Sequence, residues 1–149
     1  MRYRDLERNP GYQLWLATNA WQRILRKALE PHQLTHVQFV LLASIDLLGD
    51  SNCTGCVTQA QVSRFAATDE NMTSQVIRSL ADRNLLVREE HPTDARARTL
   101  NLTPEGEKLL AEAKAVLIPA REKFFAPLGD RAALLADLLR EVVDGEELE

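Results

Sequence analysis

Residues 58–103 read TQAQVSRFAATDENMTSQVIRSLADRNLLVREEHPTDARARTLNLT. Thr58-Gln59-Ala60-Gln61 opens the stretch as a capping box, a Thr hydroxyl followed three residues later by a Gln that can return the bond. Val62, Phe65 and Ala66 give the short helix that follows one apolar side. Residues 67–71 are polar and rich in cap candidates, so they read as a tight turn. The next helix is expected to run to about Arg83, with Met72, Val76, Ile77 and Leu80 inside. The apolar period then changes from helical to alternating. Residues 85–90 and 99–102 read as two strands, with turn chemistry in Pro92-Thr93-Asp94-Ala95 between them. A lone hairpin is marginal in water, so this one must pack on the helices.

Outward from this stretch the chain is helical on both sides. Asn9-Pro10 opens a long helix carrying Leu14, Ala17, Trp21, Ile24, Leu25 and Ala28 at helical spacing, and Pro31 stops it. Thr35 caps a second helix with Val37, Phe39, Val40, Leu41, Leu42, Ile45 and Leu48. Apolar over much of its circumference, that helix belongs at the centre of a core. Residues 49–55 read as a polar loop. Downstream, Thr103-Pro104-Glu105 is a helix start: a cap, a first-turn Pro and an acid at the positive end of the dipole. Leu109, Leu110, Ala113, Val116, Leu117 and Phe124 are expected to be buried along it, with a kink or break at Pro119. Asp130 can cap a last helix bearing Leu134, Leu135, Leu138, Leu139 and Val142. The fold class is therefore mainly α with a small β-hairpin wing.

Length and composition narrow the function classes. A chain of 149 residues, 45% hydrophobic and 27% charged, suits one globular domain spanning residues 1–149. No apolar run approaches the ~18–20 residues of a membrane span, and the charged start MRYRDLERNPG lacks a secretory core, so a cytoplasmic protein is expected. The net charge is −4, yet residues 58–103 hold six Arg and six acids and are neutral; the excess of acid lies outside them. All cations of that segment are Arg, whose planar fork suits phosphates and base edges. We find no nucleophile–base pair, metal cluster or phosphate-cradling Gly loop, so no enzyme, cofactor or metal is expected.

The short helix, tight turn and following helix match a helix-turn-helix. In such a unit the first helix braces on the phosphate backbone and the second presents its N-terminal side chains to base edges. The polar face of the second helix here is Asn71, Thr73, Ser74, Gln75 and Arg78. Gln pairs bidentately with adenine, and Arg with guanine. Residues 58–62, 72–80 and 84–88, followed by Asp94-Ala95-Arg96 and Leu100-Asn101-Leu102-Thr103, resemble the MarR family of transcriptional regulators, and the flanking helices extend the resemblance over nearly the whole chain. It implies a winged helix-turn-helix over residues 35–103, flanked by dimerisation helices at 9–31 and 103–145. It also implies residue roles. Arg96 is the wing-tip Arg that enters the minor groove, where a narrow groove concentrates negative potential. Asp94 orients it. Gln59 reaches phosphate from the bracing helix, and Arg98 adds a phosphate contact. Many relatives carry a base at the position of Gln75, and this departure leaves the preferred base open.

The resemblance further implies a homodimer on double-stranded DNA with a pseudo-palindromic operator. Leu134, Leu135, Leu138 and Leu139 at one end, and Leu14, Trp21 and Leu25 at the other, are expected to meet across the two-fold axis. A small aromatic or lipophilic effector is expected in a cleft lined by Trp15, Trp21, His36 and Phe39, where the dimerisation helices meet the winged helix. Cys53-Thr54-Gly55-Cys56 is a CxxC in the loop before the helix-turn-helix. Zinc is disfavoured, because no further Cys exists and His32, His36 and His91 are not at ligand spacing. A redox switch at Cys53 and Cys56 is the alternative reading, and inert loop thiols the simpler one. A catalytic thiol–disulfide protein would need a βαβ context that this pattern lacks. A winged helix that binds protein rather than DNA is the third reading, and the Arg96 wing argues against it.

Overall fold

The computed structural model describes residues 3–51 and 57–146. Seven α-helices and two strands follow in order among the described residues: α1 (Tyr3–Glu7), α2 (Pro10–Leu29), α3 (His36–Ser51), α4 (Gln59–Phe65), α5 (Glu70–Asp82), β1 (Leu86–Glu90), β2 (Arg98–Leu102), α6 (Pro104–Phe125) and α7 (Arg131–Glu146). Short 3₁₀ turns follow α2 and α6. Strands β1 and β2 pair antiparallel, from Leu86 opposite Leu102 to Glu90 opposite Arg98. The expected class, mainly helical with a two-stranded wing, is the observed one.

The helix starts follow from side-chain caps. Asn9 accepts from the Tyr12 N–H, Thr58 from Gln61, Asp69 from Met72 and Thr103 from Gly106. At Thr58 the box is complete, since Gln61 Oε1 also accepts from the Thr58 N–H at 2.9 Å. Gly129 (φ 54°) closes the 3₁₀ turn after α6. Three helices stop at a residue in the left-handed region: Gln33 (φ 53°), Ala67 (φ 52°) and Asn84 (φ 59°). Each closure makes the paired bonds of a Schellman motif, as in Asn84 N–H to Ala81 O and Leu85 N–H to Leu80 O. The residue after the left-handed one, Leu34 or Leu85, is buried at two of these ends, which fixes the direction of the exiting chain.

Helix α3 sits at the centre, packed on α2, α4, α5, α6 and β2. Leu41, Leu42 and Ile45 on it join Leu25 and Leu29 of α2, Val62 of α4, Ile77 and Leu80 of α5, Leu100 of β2 and Leu110, Ala113 and Leu117 of α6 in one core. Several expectations about faces are corrected. Helix α3 runs through Gly49 to Ser51; the cost of an interior Gly, about 1 kcal/mol, is small beside the burial of three large aliphatics. Phe65 (56%), Met72 (44%) and Val116 (37%) are exposed, because Val62, Ile77 and Leu117 take the inward faces of their helices. Helix α6 is not split at Pro119; Pro119 and Ala115 are both exposed, so water can serve the carbonyl that the ring releases. Helix α7 leans on the 3₁₀ turn before it, and its Leu134, Leu138, Leu139, Val142 and Val143 are exposed. Cys53 and Cys56 lie outside the described residues.

Candidate nucleic-acid interface

The recognition helix is α5, and its outward face is set by the turn that precedes it. Asn71, Gln75 and Arg78 are exposed, lie along one side at helical spacing, and have no hydrogen-bond or ion-pair partner among the described residues. Ser74 is half-buried beside them. Thr73 is not part of this face. It is fully buried, and its hydroxyl lies 2.8 Å from Asp69 O, 3.2 Å from Ser63 Oγ and 2.7 Å from Thr68 Oγ1. One hydroxyl carries one proton. Thr73 donates to the Asp69 carbonyl, so Thr68 is the donor to Thr73, while Ser63 donates to Thr68 O at 2.7 Å. The expected DNA contact at Thr73 is thus a buried hydroxyl lock between α4 and α5. Neighbours, not residue type, decided its direction.

The wing is organised around Asp94 and His91. Asp94 Oδ1 accepts from the Arg96 N–H at 3.0 Å, and Asp94 O accepts from Ala97 N–H at 3.1 Å. His91 Nδ1 accepts from the N–H groups of Thr93 (3.2 Å) and Asp94 (3.1 Å), so the imidazole carries its proton on Nε2. Arg96 stands exposed at the tip. Arg98 is half-buried: its Nη1 is covered, 3.5 Å from Glu90 Oε1, and makes no hydrogen bond among the described residues. Gln59 Oε1 is likewise buried without a partner. Both residues line a crevice of about 600 Å³ between the wing, the start of α4 and the start of α5, where Arg88 and Arg96 also sit. Strand β2 is tied to the entry of α4 by Leu100 N–H to Val57 O at 2.8 Å, so the wing and the bracing helix form one frame.

A second feature lies where α2, α3 and α6 meet. Trp21, His36 and Phe39 line a cavity of about 290 Å³ together with Lys114, Ile118 and Arg121. Trp21 packs in tilted contact with Phe124 and Phe125, ring centres 5.2 and 5.5 Å apart, which fixes one wall. Burial lowers the His36 pKa below its ordinary value. Lys114 Nζ is held by Asp46 at 3.0 Å, whereas Arg121 has no partner among the described residues. Trp15 is 65% exposed and does not line this cavity, which corrects its placement there. Lys114 and Arg121 were not singled out from the sequence. Their signal was present: they sit one on each side of Leu117 at helical spacing, next to the buried stripe of α6.

An exposed recognition helix, a bracing helix locked to it by hydroxyls and an Arg-tipped wing define a winged helix-turn-helix DNA-binding protein. No family model matches the chain. It is 36% identical over 130 residues to the HTH-type transcriptional regulator YdcH of Bacillus subtilis, covering 87% of each chain. Among solved structures, it is similar to the transcriptional repressor CouR bound to a 23-mer DNA duplex (28% identity, TM-score 0.81, covering 95% of this chain and 98% of that one). It is also similar to the regulator PcaV of Streptomyces coelicolor in complex with its natural ligand (25% identity, TM-score 0.81, 97% and 98%). The chain belongs to the MarR family of winged helix-turn-helix transcriptional regulators. That family is one of DNA-binding regulators and not of enzymes.

Proposed function

We propose that the protein is a homodimeric repressor that binds a pseudo-palindromic operator in double-stranded DNA and is released from it by a small aromatic effector. The observation that carries this reading is the exposed stripe of Asn71, Gln75 and Arg78, without partners among the described residues, together with the Arg96 wing. Residues 35–103 form the DNA-binding module, and residues 9–31 and 103–145 the dimerisation arms. Gln75 and Arg78 read bases, Asn71 and Ser74 support them, and Arg96 enters the minor groove with Asp94 holding its backbone. Gln59 and Arg98 serve phosphate from the crevice between wing and bracing helix. In the dimer two recognition helices lie roughly 34 Å apart, matching half-sites about 10 bp apart. Such a regulator acts in the cytoplasm, with the DNA.

The effector site is the cavity of Trp21, His36 and Phe39. Its aromatic walls suit a planar ring, and Arg121, without a partner among the described residues, suits an acidic substituent, so a salicylate-like aromatic acid fits best. Trp15 is left out of this site. Binding acts only through differential affinity: the ligand must favour a spacing of the recognition helices that no longer fits the groove repeat. By linkage, operator DNA weakens effector binding by the same factor. The test is a gel shift on the DNA flanking the protein's own gene, with and without salicylate. Retarded DNA that the acid releases is expected. A wild-type protein that binds flanking and unrelated duplexes equally would refute the operator, and unchanged retardation in the acid would refute this effector class.

A further inference from the structure

Two side-chain hydrogen bonds tie the C-terminal end of the recognition helix to its neighbours, one to the turn after α2 and one to the start of α6. Arg83, the residue that caps α5, donates from Nη1 to the Gln33 carbonyl at 2.8 Å, across fifty positions of sequence. Asn84, next in the chain, accepts at its carbonyl from Thr103 Oγ1 at 2.7 Å. Gln33 is the left-handed residue that closes the 3₁₀ turn after α2, and Thr103 is the cap that starts α6. A guanidinium suits the first point, because a charged donor makes a stronger bond to a carbonyl than a neutral one does. Beside this contact the linker and the turn of the helix-turn-helix are separated by a cavity of about 850 Å³ lined by Gln33, Thr35, Ala66 and Thr68. Beneath it the buried Leu29 and Leu34 share one core with Ile77 and Leu80 of α5, so the Arg83 bond lies at the exposed rim of this junction.

We propose that Arg83 is a positioning residue for DNA recognition: a strut from the α2 arm that sets the angle of α5, without itself touching DNA. The lever is long. From Arg83 back to Asn71 the helix measures about 18 Å at 1.5 Å per residue, so a swing of about 5° at the clamp moves Asn71 by roughly 1.5 Å. That displacement exceeds the tolerance of a bidentate contact to a base edge. With the strut cut, Thr103 and the core contacts of Ile77, Leu80 and Leu85 keep the end of α5 in place but lose its polar tie to the turn after α2, and each reading head gains a small angular freedom relative to its partner across the dimer.

This inference rests on the dimeric reading above, and the experiment separates the two. An operator is selected from random duplexes with the wild-type protein, then remade with one base pair added or removed between half-sites. Affinities are measured across a salt series for wild type, Arg83→Met and Arg83→Lys. Wild type is expected to discriminate against the altered spacings. Arg83→Met should bind the parent operator roughly three- to tenfold more weakly, as befits one solvent-screened charged hydrogen bond per subunit. It should also lose most of its spacing discrimination while keeping the wild-type salt slope. Arg83→Lys, which can still reach the carbonyl, should recover most of both. A slope reduced by about one per subunit in Arg83→Met would make Arg83 a phosphate contact and overturn the strut. Wild-type affinity and discrimination in Arg83→Met would overturn it as well. Indifference of the wild type itself to spacing would sink the dimeric reading, and the strut with it.

Discussion

The hydroxyls of Ser63, Thr68 and Thr73 decide how α4 and α5 meet, and they do so in a buried site where each lost partner is costly. Thr73→Val keeps the shape and removes the acceptor that Thr68 uses. It should destabilise the protein by about 1–2 kcal/mol, the cost of an unsatisfied buried hydroxyl. Thermal unfolding that coincides with wild type would show that the lock carries no energy. Gln75 is a different kind of residue, exposed and without a partner among the described residues. Gln75→Ala should leave stability unchanged and relax base preference at one position per half-site, at a cost of about 1–3 kcal/mol in binding. Binding-site selection with the variant checks this, and an unaltered consensus would remove Gln75 from the reading face. His36 adds a pH dependence. Its folded-state pKa lies below the ordinary 6.5 because burial disfavours the imidazolium. The unfolded chain therefore binds more protons over that window, and stability is retained above pH 6.5 and lost as the pH falls through the lowered value. Urea midpoints measured from pH 7.5 to 5 should fall for wild type and fall less for His36→Gln.

Helix α6 begins where the strand after α5 begins, and the two can approach because residue 106 is Gly. A Cβ built there would lie 1.9 Å from the Leu85 carbonyl oxygen. The close approach lets Thr103 N–H reach Leu85 O at 3.2 Å and Thr103 Oγ1 reach Asn84 O. Gly106→Ala must push α6 away from backbone, which cannot yield as a flexible side chain would. The expected loss is about 3 kcal/mol, at the upper end for overpacking, read from urea denaturation. The same change at Gly145, where nothing lies within 4 Å, is the control and should cost nothing. A tolerated Gly106→Ala would mean that the α6 cap and the end of α5 are not rigidly joined.

The exposed leucines and valines of α7 have no place in the core of one chain. Leu134 (54%), Leu138 (50%), Leu139 (42%), Val142 (68%) and Val143 (54%) follow one another along a helix that packs on little else. Leu14, Trp15 and Leu16 on α2 are similarly exposed, whereas Leu25 and Trp21 belong to the core of their own chain and its aromatic wall. The expected interface therefore shifts: α7 and the first half of α2 supply it, without Leu25. Such a stripe on a free monomer would be an aggregation hazard. Leu134→Asp/Leu138→Asp should run as a monomer in light scattering and lose operator affinity while retaining helical content. A double variant that stays dimeric would place the interface elsewhere.

Much of this molecule is written locally. The capping residues and first-turn prolines lie within four residues of the bonds they make, so the starts of α2, α4 and α6 were legible in the sequence, whereas α5 begins at Glu70, inside the stretch that read as turn. The wing turn was legible too, because Asp94 closes it within two residues of Arg96. The order of elements follows from these starts and from the change of apolar period, and it alone defines the winged helix. The ends of the helices were less legible. Gln33, Ala67 and Asn84 take a left-handed conformation that costs an Ala or Gln about 1 kcal/mol. Only the closing bonds and the burial of Leu34 and Leu85 make it worthwhile. Faces were legible only in part. Thr73 and Met72 are adjacent, one polar and buried, the other apolar and exposed, since a rotation of about 100° per residue is resolved by neighbours and not by residue type. The cavity cations Lys114 and Arg121, and the bond from Arg83 to Gln33, join positions far apart in the chain. No local hydrogen-bond pattern encodes such pairs, and only the packing of α2, α3, α5 and α6 about one core brought them together.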